Sequence, residues 1–597
     1  MIAGFAHAAP FDDRVEALFR PPLAEQMALS PDGHRVAYTV QAGKDLTIMI
    51  MNVEFPGPKM TAIVDEERTL PFSKEKVRAQ LRFLRWATSD RLVFAPMEHV
   101  SGLPSAAVTG GGSERNASGL SIYAPIMAMD ADGKNPKTLI DAPEFDVHPL
   151  EPFREPRDEP AAIPPPTRWV SRHLDILGFA PGNREQLIIQ ARGEGRGVPT
   201  EQFSLNIQTG KYTEIDRSPL AARPAAQVYD EYRREVVGVR KNDVRPVTAW
   251  SDGALGEVQR ELEAKFPRRT VEILEWSEDR TRVLARVTGG SDPGRVFVFQ
   301  RPENLVVEIF RRAPWLNSAN LNDARFFECD APDGAHLSGY VTWPAKPRLD
   351  PPPLLVIFPV GFPGRAQPEF DPEAQVFADL GFVVLRLNHR SVAGVRREDR
   401  AALQSEPDRV AVKDALAAME ELAKRHPWHP FDRRRVATLG RGFGGYLAVR
   451  ALQLEPEVFR CGVAIDAPMD LRTWLYPPLG LEENIRRAAV TEIPRGLLDP
   501  DRTDWKKLSV VNHADALLQP VFLLVEPARS AAIDRSVAEL RSKLKALRRA
   551  PDYLELDPGF APGLPKARAA AYRKLEEFFN LRLYDYGVKV GPVKEVK

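Results

Sequence analysis

The chain is expected to fold as a β-propeller followed by an α/β domain built on a mostly parallel sheet. Three observations predict this. A turn-and-strand unit recurs through the first half, apolar strands alternate with amphipathic helices beyond Asn320, and the length of 597 residues is about twice that at which a single core stops growing.

The first ten residues, Met1 to Pro10, resemble the tail of an export signal, with a short apolar stretch ending in the small-x-small pattern Ala6-His7-Ala8. The basic segment that opens such signals is missing, so an unstructured N-terminus is the alternative to an export signal, and a cytoplasmic location the alternative to a periplasmic or secreted one. The recurring unit follows. Its clearest copies are Leu29-Ser30-Pro31-Asp32-Gly33, Trp86-Ala87-Thr88-Ser89-Asp90 and Trp276-Ser277-Glu278-Asp279-Arg280, each leading into an alternating strand, with weaker copies from Phe179 and Tyr229. Further strands are expected at Ile48 to Val53, Ile126 to Asp130, Phe203 to Ile207 and Val296 to Phe299. Four-stranded blades fit this spacing, and a sandwich or two small sheets are the alternative. Pro160 to Thr167 reads as an extended loop within this half.

The expected domains are 11–315 and 316–597. In the second, Leu354 to Phe358 and Phe382 to Leu385 are continuous apolar strands, as a sheet covered on both faces requires. Asp408 to Lys424 has helical periodicity. Strand Val436 to Leu439, helix Tyr446 to Gln453, strands Cys461 to Ile465 and Val521 to Val525, and a closing helix Ala567 to Phe579 complete the pattern. The run Ser536 to Arg549 is an amphipathic helix whose leucines face the core and whose basic rim is solvated.

Composition narrows the function. Apolar residues make up 43% and charged residues 27%, and no run approaches the roughly 18 apolar residues of a membrane span. The 82 basic side chains equal the 82 acidic ones, which removes the electrostatic footprint expected of a nucleic-acid partner. Cys329 and Cys461 lie in apolar strands and read as buried free thiols. His426 and His429 lack a third ligand at metal-site spacing, so no metal or cofactor is expected.

The chemistry concentrates in Gly440-Arg441-Gly442-Phe443-Gly444-Gly445-Tyr446, a glycine-crowded joint between a strand and a helix. Two chemistries need such a joint. A dinucleotide site would bring the backbone of Gly440, Gly442 and Gly445 to a pyrophosphate, with Asp466 on a ribose hydroxyl. A serine hydrolase would present its nucleophile at position 442, at the tip of a strained turn.

The surrounding motifs favour the second. The joint resembles the Gly-x-Ser-x-Gly-Gly-Tyr elbow of the prolyl oligopeptidase family. Val360-Gly361-Phe362-Pro363 is similar to the family's His-Gly-Gly-Pro loop, Asn388-His389-Arg390-Ser391 to its Asn-Tyr-Arg-Gly stretch, and Asn512-His513-Ala514-Asp515 to the run before its acid-bearing strand. Pro314 to Pro344 resembles the start of its hydrolase domain, and Arg286 to Phe299 its last blade. The resemblance implies a propeller followed by an α/β-hydrolase domain, and serine-type peptidase chemistry.

The same alignment puts Gly442 at the nucleophile, Ser530 at the acid within Glu526 to Ile533, and Pro562 at the base within Pro558 to Gly563. No histidine follows His513, so no shift of register restores a base. The resemblance therefore implies an inactive member, with an oxyanion-like backbone at Gly361, Phe362 and Phe443 and pocket residues His389, Arg390 and Glu526. The two phenylalanines are expected to make that pocket apolar and suited to a peptide or small apolar ligand. A displaced nucleophile drawing on His389, Glu526 or Ser391, and a scaffold role for the propeller, are the alternatives.

Overall fold

The structure is a computed structural model describing residues 8–24, 26–42, 45–54, 58–65, 79–99, 121–123, 126–140, 174–180, 183–192, 200–215, 227–233, 235–242, 246–360, 366, 369–390, 400–425, 431–476, 498, 503–525, 531–555 and 565–584. The expected loop at Pro160 to Thr167 lies outside them, as do residues 1–7 of the export-like stretch.

Helix α1 (Ala8–Phe19) precedes the first blade but packs on the second domain. Its buried Val15 and Leu18 share a core with Phe377 and Tyr572, and Arg14 bonds Asp379 at 2.8 Å. Residues 11–19, expected with the propeller, therefore belong to the second core. Charge and apolar surface on one helical stripe could have suggested a docked helix, but not which domain would take it.

Five antiparallel sheets follow, spanning 27–65, 79–140, 174–215, 227–250 and 270–311. They are the five blades of a propeller. Four hold four or more strands, and the fourth blade holds three among the described residues. Helix α2 (Gly253–Lys265), capped by Asp252, joins the last two. Each of the five turn units found in the sequence closes the first hairpin of a different blade. Their composition explains this. In the first and fifth, a serine hydroxyl donates to the aspartate two residues on (Ser30 to Asp32, 2.5 Å; Ser277 to Asp279, 2.6 Å), and the aspartate accepts a backbone N–H, a local substitute for ladder bonds.

The same turns tie neighbouring blades together. Trp86 Nε1 donates to Ala28 O at 3.0 Å, Arg184 reaches Trp86 O and Glu231, and Trp276 Nε1 donates to Asp230 at 3.2 Å. Glu278 N donates to Pro31 O at 2.8 Å, which closes blade five on blade one and excludes the two-sheet alternative. Asp230 is almost fully buried and also receives Arg280, which bonds Asp252 at 2.6 Å. Replacing Asp230 by alanine leaves Arg280 buried beside one carboxylate and orphans Trp276 Nε1. We expect a loss of about 3 kcal/mol, read by urea denaturation of D230A beside the parent.

Two adjacent segments cross to the second domain, joined by Leu23 N donating to Arg312 O at 2.8 Å. The sheet there has strands β1 (Ala324–Asp330), β2 (His336–Thr342), β3 (Pro353–Phe358), β4 (Val383–Asn388), β5 (Asp432–Arg441), β6 (Phe459–Ile465), β7 (Val521–Val525) and β8 (Asp552–Glu555). Their order is β1-β2-β4-β3-β5-β6-β7-β8, with β2 antiparallel to its neighbours and β3 to β8 parallel, the arrangement of an α/β-hydrolase. Helices α3 (Pro372–Asp379), α4 (Pro407–Arg425), α5 (Phe443–Leu454), α6 (Ala531–Ala546) and α7 (Pro565–Phe579) cover it. One face carries α4, α5 and α6, and the other α1, α3 and α7. Sandwiched so, β3, β4 and β7 are buried along their length, which is why they read as unbroken apolar runs. Leu540 and Leu544 of α6 lie in the core, and both cysteines are buried free thiols. Burial pushes the Cys329 thiol up to about 11, so it is inert at neutral pH.

Candidate functional site

Between β5 and α5 the chain turns through Gly442 at φ 56° and ψ −126°, a conformation that glycine adopts without strain and that costs a residue with a side chain about 1 to 3 kcal/mol. Helix α5 begins at once, at Phe443, three residues earlier than its periodicity suggests. The flanking glycines permit the closeness of strand and helix. A Cβ on Gly440 would sit 2.2 Å from the carbonyl of Gly444, and one on Gly444 would sit 2.2 Å from Pro359 O. Gly442 N donates to Ile465 O at 2.9 Å, which hangs the turn on the end of β6. The joint thus has the shape that holds a nucleophile in strained geometry, and the residue there brings no hydroxyl, thiol or carboxylate.

Of the other sequence-predicted positions, Gly361, Phe362, Ser391, Glu526, Ser530 and Pro562 lie outside the described residues, as do His426 and His429. Three of the predicted positions are described. The Phe443 ring is buried and stacks on Tyr446 at 5.6 Å, in the core beneath the turn. His389 is fully buried against Phe358, and desolvation pulls its pKa down to about 3, so it is a neutral interior group. Arg390 is held by Asp414 at 2.6 Å and Asp333 at 2.8 Å, an anchor between α4 and the β1–β2 turn. In each case residue type suggested chemistry, while the packing of strand and helix decided the direction of the side chain. His513 is half-buried in a short helical turn, with Nε2 3.1 Å from Lys506 O.

A charged cluster beside the turn was not legible in the sequence. Arg441 pairs with Asp466 at 3.0 Å, and Asp466, just past β6, is nearly buried at φ 47°. A buried carboxylate engaged by an arginine weighs against the ribose contact that a dinucleotide site would need. Nearby, Tyr572 of α7 donates to Glu373 of α3 at 2.6 Å, and burial raises the Glu373 carboxyl above its ordinary range. Asp371, the N-cap of α3, holds Arg386 at 2.6 Å. Among the described residues no group of three His, Cys, Asp or Glu side chains is placed to hold a metal.

Residues of the first, second, fourth and fifth blades of the propeller bound a cavity of about 320 Å³ in which Arg85 pairs with Glu275 at 2.5 Å and Arg286 with Glu272 at 2.5 Å. Leu29 N also donates to Glu275, and Arg286 lies 4.0 Å from Glu369, ahead of α3. Desolvation raises the Glu275 carboxyl, with Arg85 opposing it. A second cavity of about 560 Å³ lies between blade five and the β1–β2 edge. No described helix is long and apolar enough to cross a membrane.

Comparison with known proteins agrees with this architecture. Residues 368–526 match the model of the prolyl oligopeptidase family. Among curated proteins, dipeptidyl aminopeptidase BIII of Pseudoxanthomonas mexicana is 24% identical over 58% of this chain and 51% of its own length. Dipeptidyl peptidase family member 6 of Caenorhabditis elegans is 24% identical over 46% and 40%. The chain thus spans about half or less of these relatives. A shorter match, 26% identical over 19% of the chain and 13% of the relative, is to the rat protein named inactive dipeptidyl peptidase 10. Among solved structures, Pyrococcus horikoshii acylaminoacyl peptidase superposes with a TM-score of 0.55 at 15% identity, covering 95% of this chain and 90% of that one. At that identity the likeness is one of fold.

Proposed function

Because this chain belongs to the prolyl oligopeptidase family, we propose that it is a member that binds without hydrolysing, retaining the space above the elbow as a site for a peptide or small apolar ligand. The observation that carries this reading is Gly442, a residue with no side chain at the tip of a turn whose backbone still has a nucleophile's geometry. The sequence supports it further. Ser530 and Pro562 stand at the acid and base positions, and no histidine follows His513. Loss of a nucleophile or base alone typically lowers turnover about 10⁶-fold, because triad members act as a unit. Binding has no such requirement, since backbone N–H groups and apolar walls suffice. Relatives from rat and mouse that are named inactive support the same reading.

Titration calorimetry with a set of blocked tri- and tetrapeptides tests the binding half. At least one is expected to bind without being cleaved, as followed by mass spectrometry, and Gly442→Trp is expected to weaken it at least tenfold by filling the site. Flat calorimetry across the set, or binding indifferent to the tryptophan, overturns the reading.

A further inference from the structure

The larger cavity, between the two domains at the β1–β2 edge of the sheet, is remote in the strand order from the elbow on β5 and takes no part in the reading above. We propose that it is a binding site for a small ligand bearing a carboxylate or phosphate, the oxyanion held by Arg268, Arg269 and Arg325. Its volume of about 560 Å³ lies within the range of small-molecule sites. Three guanidinium groups line it against one carboxylate, Asp323, which is 2.8 Å from Arg325. Among the described residues neither Arg268 nor Arg269 makes an ion pair. Arg269 Nη1 donates to the Ser291 hydroxyl at 3.2 Å, a neutral partner that orients the guanidinium without cancelling its charge.

The wall is shaped to present that group. A Cβ on Gly289 would come within 2.6 Å of Arg269 Nη1, so the guanidinium lies flat against bare backbone. A Cβ on Gly290 would come within 2.1 Å of the Ala324 Cβ, so the second glycine lets the domains meet at the base of the cleft. The opposite wall is aromatic, with Phe326 and Tyr340 rings 5.6 Å apart and the Arg386 guanidinium over Tyr340 at 5.4 Å. Uncompensated positive charge in a half-enclosed space attracts anions, and the guanidinium fork matches the two oxygens of a carboxylate or phosphate. A cationic wall facing an aromatic one fits an anion attached to a planar or apolar body. Because both domains contribute, the bound ligand bridges them.

Titration calorimetry on the full chain at fixed ionic strength, using the dipeptide Ala-Phe, its C-terminal amide, inorganic phosphate and AMP, tests the site. At least one anionic probe is expected to bind, and R268E and R269E each to weaken it at least tenfold while R269K retains part of the affinity. Ala-Phe binding that is lost in the amide identifies a peptide carboxylate, whereas phosphate and AMP binding identifies a phosphorylated ligand. Both arginines are at least partly exposed, so unchanged circular dichroism and melting temperature confirm that the variants fold. Absence of binding by all three anionic probes, or binding unaffected by both charge reversals, overturns the proposal. Gly442→Trp leaves this binding intact, which separates its failure from failure of the elbow site.

Discussion

A fluorophosphonate probe will leave the folded protein unlabelled under conditions that label an active serine hydrolase to one equivalent, and no peptide or ester substrate will be turned over above the buffer rate. The expectation follows from the elbow. The probe reacts with a serine made nucleophilic by a neighbouring base, and the turn that would present it holds Gly442. Restoring the hydroxyl alone is not expected to help. Gly442→Ser would cost about 1 to 3 kcal/mol at this φ and would supply a nucleophile with no histidine anywhere after His513 to accept its proton. Stoichiometric labelling of the parent that vanishes on denaturation would point to a displaced nucleophile and refute the non-hydrolysing assignment.

Acid will destabilise the protein through His389, and a His389→Leu variant will lose much of that sensitivity. The sign follows from proton binding. In the unfolded chain the imidazole titrates near its ordinary 6.5, whereas in the folded protein desolvation lowers the pKa to about 3. Between those values the unfolded state carries the extra proton. Stability contributed by the neutral ring is therefore complete above about pH 6.5 and falls as pH drops toward 3. A shift of this size corresponds to roughly 4 to 5 kcal/mol across the window. Carboxylates titrate over part of the same range in both proteins, so the informative quantity is the difference between parent and variant. Parallel urea midpoints for the two from pH 7 to pH 4 would show that His389 is not held neutral in the folded state.

Local chemistry made the turns and the elbow readable from the amino-acid sequence. Ser-x-Asp turns satisfy their own backbone, so Leu29 to Gly33 and Trp276 to Arg280 announce hairpins wherever they fall. The run of glycines from Gly440 to Gly445 announces a strand and helix packed too closely for side chains. The lack of any histidine after position 513 is likewise a property of the chain alone. The number of blades, the docking of α1 on the second core, the Arg441 to Asp466 pair and the basic cleft at Arg269 come from residues far apart in the chain. Tertiary structure also turned Phe443 and His389 inward, although the motifs that hold them suggested pocket walls. A side chain's neighbours along the chain fix its backbone conformation, but which of its faces meets water is decided by the sheets and helices that close over it.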